Sequence, residues 1–407
     1  MYGKKMSPVV AMLIVAVVLR MVVLVLKHPG FPPGWGGEMS SVASSLASGH
    51  GFGSPYWTDT GPTALVPPVY PAILAVIFLI FGNHVPAAGM AGGALSIFLS
   101  AAICLPVTSL AKSLFSEKSG RVAGWVWALL PITGYSDSLY LWNTSLYGLL
   151  LTTFLVVIFR EKPSPSVKWW MGFGLFTGVL VLTEPVCLTV VGLSFLWVAW
   201  RLHTNSSAIK LIILSAFIAA VLPAIWVTRN RVVFGQMVFL RSGFGLELAK
   251  GILESEMALP FRNPEETRRY QKLGEVNYMK VRLAEAKLWV RQHPKAYLKK
   301  TTARMVGWWS GGKHIPIYWF YGKYRMAKRV LFALPGVGCI AGIILLFRRK
   351  NNAYAILAIS IVAVYPVVYY LTHIDVRQRA PLEPFLVVLA VEAGITALRR
   401  LKLKRSR

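Results

Sequence analysis

Uninterrupted apolar runs, not alternation, set the pattern of this chain. They fall near residues 8–27, 87–111, 120–138, 142–159, 169–184, 185–201, 208–227, 330–347, 353–371 and 381–398. At the rise of an α-helix each comes close to the thickness of a bilayer's hydrocarbon layer, so the pattern predicts an all-α polytopic membrane protein with about ten transmembrane helices. One further run, 64–82, opens with Pro67, Pro68 and Pro71. A full crossing there would reverse the side of every later loop, so it is read as an in-plane or re-entrant helix of the first outer loop. The first run contains Arg20 and lacks a small-x-small cleavage site, which predicts a retained anchor and not a cleaved leader. Between the seventh and eighth runs, Asn263-Pro264-Glu265-Glu266 is a helix-start signal, and His293-Pro294 ends that helix and begins another toward Trp308. The sequence shows no internal repeat.

Charge changes the picture next. The 407 residues carry 44 Lys and Arg against 16 Asp and Glu, a net +28, yet 55% are hydrophobic and the mean hydropathy is +0.55. A soluble nucleic-acid binder has nowhere to put that apolar excess, and disorder and disulfide scaffolds are excluded by the same figures. Cys104, Cys187 and Cys339 each stand alone in an apolar run and read as packing residues. The basic residues cluster in short connections: Lys112, Lys118 and Arg121; Arg160, Lys162 and Lys168; Arg201 and Lys210; Arg348 to Lys350; and the tail from Arg399. By the bias of cytoplasmic loops toward Lys and Arg, both termini are expected in the cytoplasm and the protein in the inner (plasma) membrane. Residues 28–86 have no Lys or Arg, as a translocated loop should. Residues 228–328 hold about 20 basic and 7 acidic residues, but long loops translocate regardless of charge. Three regions follow: 1–227, a transmembrane module with the first outer loop; 228–328, a helical extracytoplasmic region; and 329–407, the last transmembrane helices with a basic tail.

In this topology Glu38, Asp59, Asp137, Glu184, Asp375 and Glu383 all fall at outer ends or in outer loops. Acids beside a bilayer are costly unless paired or solvated. Their concentration indicates a polar outer cavity, or simply that basic residues are kept inside. Arg20, Lys27, Arg229, Arg231, Arg241, Arg377 and Arg379 are the outer cations that could answer them, and an arginine fork suits phosphate and carboxylate alike.

From Glu38 the order of residues becomes recognisable. Ala43, Leu46, Ala47 and Gly49-His50-Gly51-Phe52 follow it, then Pro67-Pro68-Val69-Tyr70-Pro71 and Phe81-Gly82. This resembles the first outer loop of the GT-C glycosyltransferases, the superfamily of protein mannosyltransferases and aminoarabinose transferases. Trp226-x-x-Arg229-Asn230-x-x-x-Phe234-Gly235, His293-Pro294 before a helix reaching Arg304, and Arg379-Ala-Pro-Leu-Glu-Pro resemble later landmarks. The resemblance places Glu38 at the catalytic carboxylate, usually Asp. Two departures matter. The acidic pair often found there is Gly37-Glu38, and the second acid after the second outer loop is replaced by Asn143, with Asp137 the alternative. One carboxylate and an amide make a poor site for a hard cation, so no cofactor is implied and a metal-assisted reaction is in doubt.

What the resemblance implies is transfer of a sugar from a polyprenyl-phosphate donor to a lipid, glycan or protein acceptor on the outer face. The departing phosphate needs no protonation, so one base and suitable cations suffice. Glu38 would be that base, and Arg379, then Arg377, Arg229 or Arg20, would stabilise the phosphate. Asp137, Asn143 and His50 complete the expected substrate-binding set, and Trp35, Trp57, Trp308 and Trp309 are candidates for stacking on sugar. The alternatives are a transporter or flippase of the same lipid-linked substrate, and a non-catalytic membrane scaffold. Transporters tend to show repeats around a midplane site, and none is visible here.

Overall fold

The structure, a computed structural model, describes residues 7–27, 37–56, 58–130, 140–160, 166–253, 260, 263–311 and 325–405. The apolar runs form helices in chain order. α1 (Pro8–Lys27) is followed by α2 (Glu38–Ala47) and α3 (Val69–Phe81). α4 (Pro86–Ala102) continues past Ile103 into α5 (Cys104–Leu114), and α6 (Glu117–Leu129), α7 (Thr144–Ile158), α8 (Val167–Thr183), α9 (Leu188–Arg201) and α10 (Ser206–Phe234) follow. Beyond these come α11 (Phe244–Leu253), α12 (Pro264–Leu273), α13 (Glu275–Gln292) and α14 (Pro294–Ser310). The chain closes with α15 (Arg325–Arg348), α16 (Asn352–Val364), α17 (Val367–Leu371), the single turn α18 (Val376–Arg379) and α19 (Glu383–Arg405). Five stretches, Pro8–Leu26, Pro86–Leu114, Ser206–Phe234, Arg329–Arg348 and Asn352–Leu371, are long and apolar enough to cross a membrane, and four apolar helices are shorter.

Local signals set the helix ends. Ser116, Ser166 and Asn205 accept hydrogen bonds from the backbone N–H groups of Ser119, Trp169 and Ala208, capping α6, α8 and α10. Gly235, in the left-handed region at φ 63°, ends α10. α10 therefore runs seven residues beyond the boundary expected at 227, because Trp226, Arg229 and Asn230 still pack along its last turns. Small residues let the long helices approach closely. A Cβ on Gly174 of α8 would sit 2.5 Å from the Ser215 carbonyl of α10, and one on Gly342 of α15 would sit 2.3 Å from the Leu389 carbonyl of α19.

The two ends of the bundle differ in chemistry. At one end Glu392 meets Ser119 and Arg349, Lys112 meets Glu117, and Arg201 donates to the Tyr354 hydroxyl at 2.9 Å. Glu38, Glu184, Asp375 and Glu383 lie at the other end, beside the starts or ends of α2, α7, α8, α18 and α19. Arg20, expected as a phosphate ligand, is instead 2% exposed within the bundle. Its guanidinium donates to the carbonyls of Ala128 (3.1 Å), Trp127 (3.1 Å) and Leu130 (3.2 Å), acceptors at the C-terminal end of α6.

At the acidic end residues of the 38–88 segment and of the 246–279 segment share one apolar core. Met39 and Val42 of α2 and Leu74 and Phe78 of α3 join Leu246 of α11 and Tyr278 of α13 in it. Glu275, 4% exposed, fastens the two regions together: its carboxylate accepts from the Ala64 N–H at 2.7 Å, the Tyr270 hydroxyl at 2.7 Å and the Thr63 hydroxyl. α3 is 13 residues long, about 20 Å at 1.5 Å per residue, and leans on α2 and α4. Reporters fused near Lys118, Lys168 and Lys350 are expected to read cytoplasm, and those near Asp59 and Gly274 the outside. A cytoplasmic reading at Gly274 would separate the acidic end from the outer face.

Candidate active site

Glu38 opens α2, where the helix dipole favours a carboxylate. It is partly buried, and among the described residues it makes no hydrogen bond or ion pair. Gly37 before it adopts φ 96°, and a Cβ there would lie 3.3 Å from Trp142 Nε1. Glycine is therefore suited to this position on two counts, backbone conformation and space.

Beside α2 lies a cavity of about 410 Å³. Its polar wall holds Asn143, Glu184, Arg241, Glu247, Arg377 and Gln378, and its apolar wall includes Val186, Leu188, Phe239, Phe244 and Tyr369. Asn143 caps no helix with its side chain; its amide donates to the Thr183 carbonyl (2.8 Å) and to Glu184 (3.3 Å). Arg241 pairs with Glu184 at 3.0 Å and donates to the Leu65 carbonyl at 2.9 Å. Glu247 lies 2.8 Å from His373 Nδ1. Burial favours its neutral acid, but the imidazole, then Lys250 and Arg241, outweigh burial and hold the carboxyl below the usual range.

Arg377 stands on α18, whose N-cap Asp375 accepts from the Arg377 N–H at 3.1 Å while Gln378 closes a reciprocal capping box. Its guanidinium lies over the Trp142 ring at 4.7 Å. Burial works against the charge, but Asp375, then Glu38, Glu247 and Glu184, more than offset it and hold the pKa above the ordinary arginine value. The carboxylate of Glu38 and the guanidinium of Arg377 thus share one electrostatic neighbourhood, with the Trp142 ring beneath the cation and against Gly37.

The other expected ligands are not brought here. Arg379, two residues from Arg377, is 1% exposed in the core. It donates to the carbonyls of Trp308 (2.7 Å) and Phe332 (2.7 Å) and pairs with Glu383 at 2.6 Å, so it braces α14, α15 and α19 and does not reach the cavity. Arg229 donates to the Thr63 (2.7 Å) and Phe52 (3.0 Å) carbonyls and stacks on Trp226, tying α10 to the segment between α2 and α3. His50 is exposed in the turn after α2, away from the cavity lining. Trp308 is buried against Tyr369, and Trp309 donates to the Tyr370 hydroxyl at 2.9 Å. Asp137, Trp35 and Trp57 lie outside the described residues. Conversely, Glu247 and the stacking role of Trp142 escape sequence reasoning: Glu247 was one acid in a loop read only by its total charge, and Trp142 one of many interfacial tryptophans.

Among the described residues no three His, Cys, Asp or Glu side chains converge to hold a metal. Of the described carboxylates at the cavity, Glu184 pairs with Arg241 and Glu247 lies against His373.

No protein-family model matches the sequence, and no curated protein is similar to it. Solved structures are. The archaeal oligosaccharyltransferase AglB from Archaeoglobus fulgidus, in complex with an inhibitory peptide and a dolichol-phosphate, superposes with TM-score 0.59 at 14% identity, covering 98% of this chain and 51% of that one. The same organism's oligosaccharyltransferase tethered with an acceptor peptide containing the NVT sequon gives TM-score 0.58 at 14% identity, covering 98% and 50%. The chain thus spans about half the length of these proteins. ArnT from Cupriavidus metallidurans bound to undecaprenyl phosphate gives a TM-score of only 0.37 at 16% identity over 95% of this chain and 77% of that one, too low to carry a structural argument. The protein is a helical, multi-pass membrane protein with its charged cavity at one end of the bundle. Its fold is shared with the archaeal oligosaccharyltransferase AglB.

Proposed function

We propose that this protein is a membrane glycosyltransferase that moves a sugar from a polyprenyl-phosphate donor to an acceptor on the extracytoplasmic face, with Glu38 as general base. The observation that carries the reading is a cation in the cavity wall, Arg377, in the electrostatic neighbourhood of Glu38, whose carboxylate is unengaged among the described residues and which adjoins Met39 of the lining. The shared fold with AglB, whose structure holds a dolichol-phosphate, supports the donor class. In the reaction the acceptor's O–H or N–H loses its proton to Glu38 as its lone pair attacks the anomeric carbon. The bond from that carbon to the phosphate oxygen breaks, and its electron pair leaves with the phosphate. Arg377, with Arg241 behind it, stabilises the charge that collects there. Val186, Leu188, Phe239 and Phe244 supply an apolar wall suited to the first isoprene units.

The test is a product assay on the purified, lipid-reconstituted protein. Free polyprenyl phosphate is expected only when donor and acceptor are both present. Translocation of intact donor between vesicle leaflets, with no polyprenyl phosphate formed across a broad acceptor panel, would replace this reading with a flippase.

A further inference from the structure

From Ala286 to Ile374 the sequence contains no Asp or Glu. The outer end of that stretch is the C-terminal half of α13 and the whole of α14. Lys287 and Arg291, four apart, share one face of α13, and Lys295 and Lys299 share one face of α14. All four are exposed, and none makes an ion pair among the described residues. A cationic ridge this free of acids recruits an anionic partner.

Two further observations identify that partner. Large apolar side chains interleave with the cations: Leu288 is 55% exposed and Leu298 66%. The ridge also descends along the bundle. The Tyr297 hydroxyl donates to the carbonyl of Leu371, the last residue of α17, at 2.7 Å, whereas eleven residues later Trp308 stacks on Tyr369 and lies 6.3 Å from Tyr365, deeper in the bundle. Met305 and Val306 point away from the protein on this descending half, and Val330 and Leu334 of α15 are likewise exposed. α14 thus enters at the level of the outer helix ends and slopes into the lipid-facing band. A soluble polyanion would answer the lysines and leave the leucines, Met305 and Val306 in water. An anionic bilayer surface answers both sets at once.

We propose that α14 and the end of α13 form an interfacial wedge that rests on the outer leaflet and gathers anionic phospholipid headgroups around Lys287, Arg291, Lys295 and Lys299. The wedge adjoins the cavity's support, because Arg304 of the same helix donates to the carbonyls of Tyr370 (2.7 Å) and Gly251 (3.0 Å), which belong to α17 and α11. The inference is independent of the proposed reaction.

The three cysteines are all buried, so a Leu298→Cys variant of the full chain can carry a single fluorescent label at the ridge. In nanodiscs, lipids brominated near the headgroup are expected to quench that label. Brominated phosphatidylglycerol should quench at least about twofold more than brominated phosphatidylcholine at low salt, and the excess should vanish near 1 M salt, where the screening length falls to about 3 Å. A variant with Lys287, Arg291, Lys295 and Lys299 all changed to Gln should lose the excess and keep the phosphatidylcholine quenching. If that variant fails to fold, the lipid and salt comparison on the labelled protein still decides. Absence of quenching by either lipid, equal quenching by both at low salt, or shielding of the label by soluble polyphosphate in phosphatidylcholine discs would each overturn the proposal.

Discussion

Glu38→Gln is expected to lower turnover by about 10²-fold or more while donor binding is nearly retained, because the amide keeps the size and hydrogen-bonding reach of the carboxylate but cannot take a proton. A 10²-fold loss corresponds to about 2.7 kcal/mol of transition-state stabilisation, within the range a positioned base supplies. The carboxylate makes no structural hydrogen bond among the described residues, so the fold should be indifferent to the change, and an unaltered melting profile separates a chemical loss from a folding one. Single-turnover rates with a saturating donor are the measurement. A normal rate would remove Glu38 from the mechanism and leave the scaffold or flippase readings standing.

Two arginines on one turn give the second large effect, and it separates them. Arg377→Gln removes the cation that faces Glu38 and the cavity, and is expected to raise the donor KM and to lower kcat/KM by about 10²-fold, the scale of one lost charge-stabilising contact. Arg377→Lys keeps charge but loses the planar fork and its seat over Trp142, so it should recover only part of the loss. Arg379→Lys acts differently. It leaves the Trp308 and Phe332 carbonyls without their planar partner inside the protein, so the expected result is lower thermal stability and yield, by about 1–3 kcal/mol. Kinetics per folded molecule should change little. Equal kinetic damage from both positions, with stability intact, would refute the assignment of the cavity cation to Arg377.

That pair shows where the sequence stops being legible. Arg377 and Arg379 belong to the same short outer segment, and resemblance singled out Arg379 through the Arg-Ala-Pro-Leu-Glu-Pro pattern. Side chains two apart on a helical turn point about 200° away from each other. Which of the two meets the cavity depends on how a four-residue helix is rotated between Trp142 and α15, and no local pattern encodes that rotation. The long helices were readable for the opposite reason: their apolar runs have to meet lipid or one another, so the pattern alone shows where they lie, and caps and packing trim their ends. Glu38 was reached through the order of residues around it, and the structure supplies what the order lacked, the glycine geometry at Gly37 and the ring of Trp142. Glu247 stayed hidden because its meaning comes from His373, 126 positions away in the chain and 2.8 Å away in space.

Arg20 also constrains how the protein is made. Its carbonyl partners on α6 are Trp127, Ala128 and Leu130, more than one hundred residues later in synthesis. When α1 leaves the ribosome it carries a full positive charge into the membrane with none of those acceptors yet in existence. Until α6 arrives the nascent helix has to keep that guanidinium at the lipid headgroups or in the insertion machinery, and only then can α1 settle at its final depth. α1 therefore reaches its final seat only once α6 has been made, and a translation product that stops before α6 is an anchor still waiting for its seat.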